Sequence, residues 1–263
     1  MTGTMSLTRR FFVAAAIVSP LGMVLSGCHD AAATMMGRQT SFVLALLDVS
    51  GTTKAARDGY IRDLSGIMDQ LQSGDSLWAD QITENSLATS RLALKLDLPT
   101  FDVLSQNRDE YNTQLTALKN KAHSQAEALM NGGTQKTTIL DSLLVAQKVF
   151  HSSRSASSSH RLLVLMSDMR EDSTRYVFDR EVLTASRVKQ IIARELADHR
   201  IADLKGVEIY VAGATADRTG DPEQIRRVQA FWQAYFHAAG TELADEHYSA
   251  SLLDFTLLRS ARR

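Results

Sequence analysis

The chain has 263 residues, 44% of them hydrophobic and 22% charged, with only 3 prolines. That profile describes an ordinary globular domain with room for a sizeable core and excludes a fibrous or disordered chain. Its 29 Lys plus Arg nearly balance 30 Asp plus Glu, for a formal net charge of −1, and no basic stripe interleaved with aromatics occurs, so no nucleic-acid groove is expected. The only cysteine, Cys28, excludes an internal disulfide and a cysteine-rich zinc site alike.

Residues 1–27 read as an address and not as fold. Arg9 and Arg10 form a positive segment ahead of an apolar run from Phe11 to Leu25, too short for a comfortable membrane span and suited to a signal-peptide core. The run ends in Leu25-Ser26-Gly27-Cys28, which resembles the lipobox of bacterial lipoproteins. That resemblance implies cleavage before Cys28, acylation of its side chain and attachment to a membrane through lipid. Thr8-Arg9-Arg10-Phe11-Phe12-Val13 also resembles the twin-arginine export motif, although paired arginines occur in ordinary signal peptides too. His29 is not the aspartate that retains many such lipoproteins at the inner membrane. The expected location is therefore the periplasmic or extracellular face of a membrane, the outer one favoured. Residues 28–40 form a small-residue tether, and 41–263 form the domain.

Within the domain, Phe42 to Leu47 is a continuous apolar run, as in a parallel strand buried on both faces. From Lys54 the pattern turns helical, with Tyr60, Ile61, Leu64, Ile67, Met68 and Leu71 on one stripe. Leu77 to Ile82 is a second strand. Arg91 to Leu98 alternates apolar and polar and suits a half-exposed edge strand closed by Pro99. A long helix follows from Asn107 to Met130, with Tyr111, Leu115, Leu118, Ala122 and Leu129 on a face, stopped by Asn131-Gly132-Gly133. Another helix runs from about Thr138 to Phe150, and the serine-rich stretch from His151 to His160 reads as a mobile loop. Leu162 to Met166 is a buried strand, Ser186 to His199 a helix, Val207 to Val211 a strand, and Glu223 to Ala239 a closing helix. In that last helix Phe231, Trp232, Tyr235 and Phe236 form a bulky core face. The alternation predicts an α/β fold: a doubly wound, mostly parallel sheet with one antiparallel edge strand, with its ligand site beyond the carboxyl ends of the strands.

Polar residues gather at those ends. The first strand runs into Asp48-Val49-Ser50-Gly51-Thr52, the strand Leu162 to Met166 into Ser167-Asp168, and the loop after Gly132-Gly133 brings Thr137 and Thr138 to the start of a helix. Two carboxylates and three hydroxyls make a hard oxygen set of low charge, the kind magnesium accepts, and the lack of histidine or cysteine argues against zinc.

Asp48-x-Ser50-x-Thr52 resembles the Asp-x-Ser-x-Ser signature of the metal-ion-dependent adhesion site in von Willebrand factor type A domains. Thr137 to Leu143 is similar to that family's threonine loop and following helix, and Leu162 to Asp168 to its strand ending in the last site aspartate. In element order the resemblance spans roughly Ser41 to Phe255. It implies that Ser50, Thr52 and Thr137 touch a divalent cation directly, magnesium or alternatively manganese or calcium, and that Asp48 and Asp168 act directly or through water. It further implies a protein partner whose acidic side chain completes the cation's coordination. Thr52 replaces the second serine, Met169 stands where many members have glycine, Thr138 where many have aspartate, and Lys136 where glycine is common. Thr138 thus stays open as an alternative to Thr137, which is preferred for its spacing to Ile139 and Leu143.

The rival is an enzyme. Phosphatases of the haloacid dehalogenase type carry Asp-x-Asp-x-Thr after the first strand, and Asp48-Val49-Ser50-Gly51-Thr52 lacks the central acid. A serine hydroxyl at that position cannot shuttle a proton near neutral pH as a carboxylate can. A binding protein and not an enzyme is therefore expected, and a metal-free version of the same domain is a further alternative. Gly132 to Thr137 lacks the glycine and spacing of a phosphate-binding loop. His151 and His160, together with Arg170, Glu171, Asp172 and Arg175 after the site strand, read as solvated loop residues, the latter four also as a polar rim that selects the partner.

Overall fold

The computed structural model describes residues 39–214 and 221–252. Arg9, Arg10, Cys28, His29 and Phe255 lie outside them. The strands are β1 (Ser41–Asp48), β2 (Ser76–Ile82), β3 (Leu94–Asp97), β4 (His160–Met166), β5 (Glu208–Ala212) and β6 (Tyr248–Ser249). Between them run helices α1 (Arg57–Gln70), α2 (Ser86–Thr89), α3 (Arg108–Met130), α4 (Ile139–Phe150), α5 (Ser153–Ala156), α6 (Ala185–Ala197) and α7 (Pro222–Ala238). The strands form one six-stranded sheet in the order β3-β2-β1-β4-β5-β6. All neighbours are parallel except β2 and β3, which pair antiparallel from Ser76↔Asp97 to Ala79↔Leu94.

The continuous apolar runs of β1 and β4 follow from covering on both faces. Phe42, Leu44 and Leu46 point into one layer with α4, α6 and α7, while Val43, Ala45 and Leu47 point into the other with α1 and α3. The α7 face expected to be core is core: Phe231, Trp232, Tyr235 and Phe236 are fully buried. Asn107 caps α3 by accepting from the Asp109 and Glu110 amides, and Asp221 with Pro222 starts α7.

Four details differ from the sequence reading. The edge strand keeps the alternation, with Leu94 and Leu96 buried against exposed Lys95 and Asp97, but begins only at Leu94 because Leu92 adopts φ 48°. Along α3, Leu115 and Leu118 are only partly buried, since the helix covers the sheet mainly through its second half. The serine-rich stretch holds the helical turn α5, with Ser155 fully buried and Arg154 Nε donating to Ser76 Oγ at 2.8 Å and to Asp97 Oδ1 at 3.1 Å. Serine content signals a loop, yet here the arginine fastens the segment to the sheet edge. His160 begins β4 with its Nε2 2.7 Å from Glu208 Oε2 and is not a solvated loop residue.

Candidate functional site

The sheet order reverses at β1: the chain leaves to β2 and β3 on one side and returns to β4 on the other. Ligand crevices form at such a reversal, beyond the carboxyl ends of the strands. Leu47 pairs with Met166, so Asp48 and Ser167 emerge side by side there.

Asp48 is fully buried and held on every side. Its Oδ1 accepts from the Ser50 amide at 2.9 Å and from the Thr137 hydroxyl at 3.4 Å, and its Oδ2 accepts from the Ser167 hydroxyl at 2.8 Å. Ser50 Oγ and Thr52 Oγ1 lie 3.0 Å apart, with Thr52 exposed at the mouth. Asp168 is 5% exposed. One of its oxygens accepts the Arg170 amide at 3.0 Å, whereas Oδ2 is buried without a hydrogen-bond partner. The five residues singled out in the sequence, Asp48, Ser50, Thr52, Thr137 and Asp168, thus come together from three separate loops.

The electrostatics follow from this crowding. Burial raises the Asp48 pKa against the lowering effect of its hydrogen bonds. Burial and then the Asp48 charge push Asp168 up to about 6, opposed by the Arg170 amide, the nearby Thr52 hydroxyl and the Arg170 charge. Two carboxylates at elevated pKa with an unsatisfied oxygen between hydroxyls form a site that a hard divalent cation fits in donor chemistry. Among the described residues no group of three or more His, Cys, Asp or Glu is arranged to hold a metal ion, so a cation here would rest on two carboxylates and hydroxyls.

Thr137 and Thr138 are separated by their partners. Thr137 faces Asp48, while Thr138 Oγ1 donates to the Thr83 carbonyl at 2.6 Å and borders Ser86. Thr138 precedes α4 without capping it through its side chain; the buried Glu171 accepts the Leu140 amide at 3.1 Å instead. Burial pushes Glu171 up to about 8.

The loop after Asp168 is not solvated as its charges suggest. Met169 takes φ 64°, the left-handed region that favours glycine, and its carbonyl accepts Trp232 Nε1 at 2.8 Å. Asp172 exchanges backbone hydrogen bonds with Thr137, and Arg175 pairs with the fully buried Glu195 at 2.8 Å. Arg170 pairs with Asp179 at 2.7 Å.

Three contributors escape the sequence pattern. Ser167 orients Asp48, as above. Arg57 donates to the Val49 carbonyl, to Gly132 O at 2.7 Å, to Met130 O at 3.1 Å and to Ser50 O at 3.2 Å, tying the first site loop to the loop that carries Thr137. A cation in the first turn of α1 opposes the helix dipole, which is the one sequence-level hint of its special use. Tyr60 places a buried hydroxyl without a partner near Asp48, Asp168 and Asp63, whose charges, together with burial, raise its pKa.

No family profile and no curated protein matches the chain. Among solved structures it is similar to the manganese-loaded TRAP protein of Plasmodium vivax, at 14% identity over 86% of this chain and 72% of that one with a TM-score of 0.41. It is also similar to a von Willebrand factor type A protein from Catenulispora acidiphila, at 16% identity over 79% of this chain and 44% of that one with a TM-score of 0.36. A third is the pilus adhesin SpaC from Lactobacillus rhamnosus GG, at 13% identity over 85% of this chain but 30% of that one, TM-score 0.39. The chain therefore spans less than half the length of the last two. The strand order, the parallel pairing and the antiparallel edge make the domain a doubly wound, Rossmann-like α/β fold.

Proposed function

We propose that this protein is a membrane-anchored binding module, not an enzyme, that engages another protein through a divalent cation held by Asp48, Ser50, Thr52, Thr137 and Asp168. The carrying observation is the buried Asp168 Oδ2, which no hydrogen bond of good geometry satisfies although the Thr52 hydroxyl lies near and a second buried carboxylate stands beside it. When bound, a cation such as magnesium, or manganese or calcium in its place, supplies positive charge and an open coordination position for an acidic residue of the partner. Ser167 and the Ser50 amide fix Asp48, and Arg57 holds the two hydroxyl-bearing loops together. Acylation of Cys28 places the domain on the periplasmic or extracellular face, the outer membrane being favoured.

The test is affinity capture of the lipidated protein from its own membranes with and without chelator, alongside thermal melting in millimolar magnesium or manganese. A partner released by chelator together with a cation-dependent rise in Tm supports the reading; a partner retained and a Tm unmoved overturn it. The internal bonds from Thr137 and Ser167 to Asp48 and between Ser50 and Thr52 also suit a cation-free domain, the second reading, which predicts partner capture indifferent to chelator. Phosphatase chemistry is disfavoured because the position of the acid-base group is Ser50.

A further inference from the structure

The loop between β3 and α3 carries an apolar tip on a rigid base. Pro99 O accepts from the Gly74 amide at 3.2 Å and from the Tyr111 hydroxyl at 2.7 Å. The Phe101 amide donates to Ser73 Oγ at 2.7 Å, and the Phe101 ring packs on Tyr111 with centroids 4.9 Å apart. Beyond that base the turn satisfies itself: the Asp102 carboxylate accepts the Leu104 amide at 3.0 Å and the Ser105 hydroxyl, and Gln106 Oε1 accepts the Asp102 amide at 3.0 Å. Within this turn Val103 is 70% exposed and Leu104 98%, the two most exposed large hydrophobic residues among those described.

Position gives this tip meaning. Gly74, at φ 82°, lies against Thr40 and Thr100, where an added Cβ would come within 3.0 Å and 3.3 Å of their side chains. Thr40 is where the chain runs into β1, so the tip sits at the end of the sheet to which the segment from Cys28 leads. Fully extended, that segment reaches no more than about 40 Å. Asp48 lies at the opposite end of β1, roughly 25 Å away along the strand.

We propose that Val103 and Leu104 insert into the bilayer that carries the lipid anchor, a second apolar contact that orients the domain with Asp48 and Asp168 turned away from the membrane. This rests on the lipoprotein reading of Cys28. The short tether keeps the tip at high effective concentration near the lipid, so two aliphatic side chains suffice to set orientation.

The full lipidated chain bearing Leu104→Trp is reconstituted into phosphatidylethanolamine/phosphatidylglycerol vesicles with brominated acyl chains, and its emission is compared with that of the unsubstituted protein, which contains Trp78 and Trp232. The added emission is expected to fall at least twofold, while that from Val182→Trp, at an exposed position preceding α6, stays unquenched. Fatty-acid labelling of the same sample separates the two readings. Labelled protein whose added Leu104→Trp emission is unquenched, or is quenched no more than that of Val182→Trp, overturns the tip proposal alone. Absence of label overturns the lipoprotein reading and the tip proposal with it.

Discussion

The hydroxyl of Ser167 donates to Oδ2 of Asp48 at 2.8 Å, so the residue that ends β1 and the one that follows β4 are locked across the point where the sheet order reverses. Asp168, the next residue, is thereby fixed beside a second buried carboxylate, and the two repel.

Replacing Asp48 by Asn keeps the shape and the acceptor for the Ser50 amide but deletes one of the repelling charges. The cation-induced rise in Tm should be lost, whereas the cation-free fold should be as stable as wild type or about 1 kcal/mol more so. For wild type, cation at about 100 times its Kd should add about 2.7 kcal/mol. Calorimetry with and without magnesium measures both. A variant that still gains stability from magnesium would remove Asp48 from the site.

Thr137→Ala and Thr138→Ala should separate binding from structure. The first removes a hydroxyl that faces Asp48 and should weaken cation affinity with little change in stability. The second removes the 2.6 Å donor to the Thr83 carbonyl, which keeps the Ser86 hydroxyl and the Thr138 amide, and should cost about 1 kcal/mol while sparing cation binding. Chemical denaturation and cation titration of the pair decide which threonine serves the site.

Glu171 gives a pH dependence with a definite sign. Burial raises its pKa from 4.5 to about 8. Between those values the unfolded chain has released the proton and the native one keeps it, so this group's contribution to stability falls as pH rises through the window and is level outside it. Glu171→Gln retains an acceptor for Leu140 and should flatten the trend. Its advantage over wild type should be absent at pH 4 and grow to at most roughly 5 kcal/mol above pH 8, read from urea midpoints.

Gly213→Ala should be severely destabilising. Gly213 adopts φ 101°, and a Cβ there would lie 2.2 Å from the Tyr60 hydroxyl and 2.9 Å from the Ser167 carbonyl. A loss of about 2–3 kcal/mol is expected in the Tyr60 background, and Tyr60→Phe should return part of it by removing the nearest atom. Equal loss in both backgrounds would assign the cost to the backbone conformation and the remaining contacts with the Tyr60 ring and the Ser167 carbonyl.

The fold was legible where burial writes a period into the chain: the unbroken apolar runs of β1 and β4, the alternation around Leu94 and Leu96, and the aromatic face of α7 each reflect a fixed covering of the backbone. That Asp48, Ser50 and Asp168 come together was legible because each stands at or just past a strand end. What escaped depends on partners far along the chain. Glu171, Asp172 and Arg175 read as solvated charges, yet the first accepts an α4 amide and the last meets Glu195 twenty residues on. Strand β6, Tyr248–Ser249, is too short to show any period. Thr137 and Thr138 are chemically alike; spacing favoured the first, and the Thr83 carbonyl that engages the second separates them in the fold.

The register of β1 also governs how the domain bears tension. The chain enters this central strand at Ser41, and Asp48 stands at its far end, with β2 paired along one edge from Phe42↔Ser76 to Asp48↔Ile82 and β4 along the other from Ser41↔His160 to Leu47↔Met166. Were a partner held near Asp48 and an anchor placed before Ser41, as proposed, a pull between them would run along the strand axis, so that the cross-strand hydrogen bonds on both edges would resist sliding together instead of opening one after another. Built this way, the sheet transmits such a load through its best-covered strand and leaves α3, α6 and α7 outside the line of force.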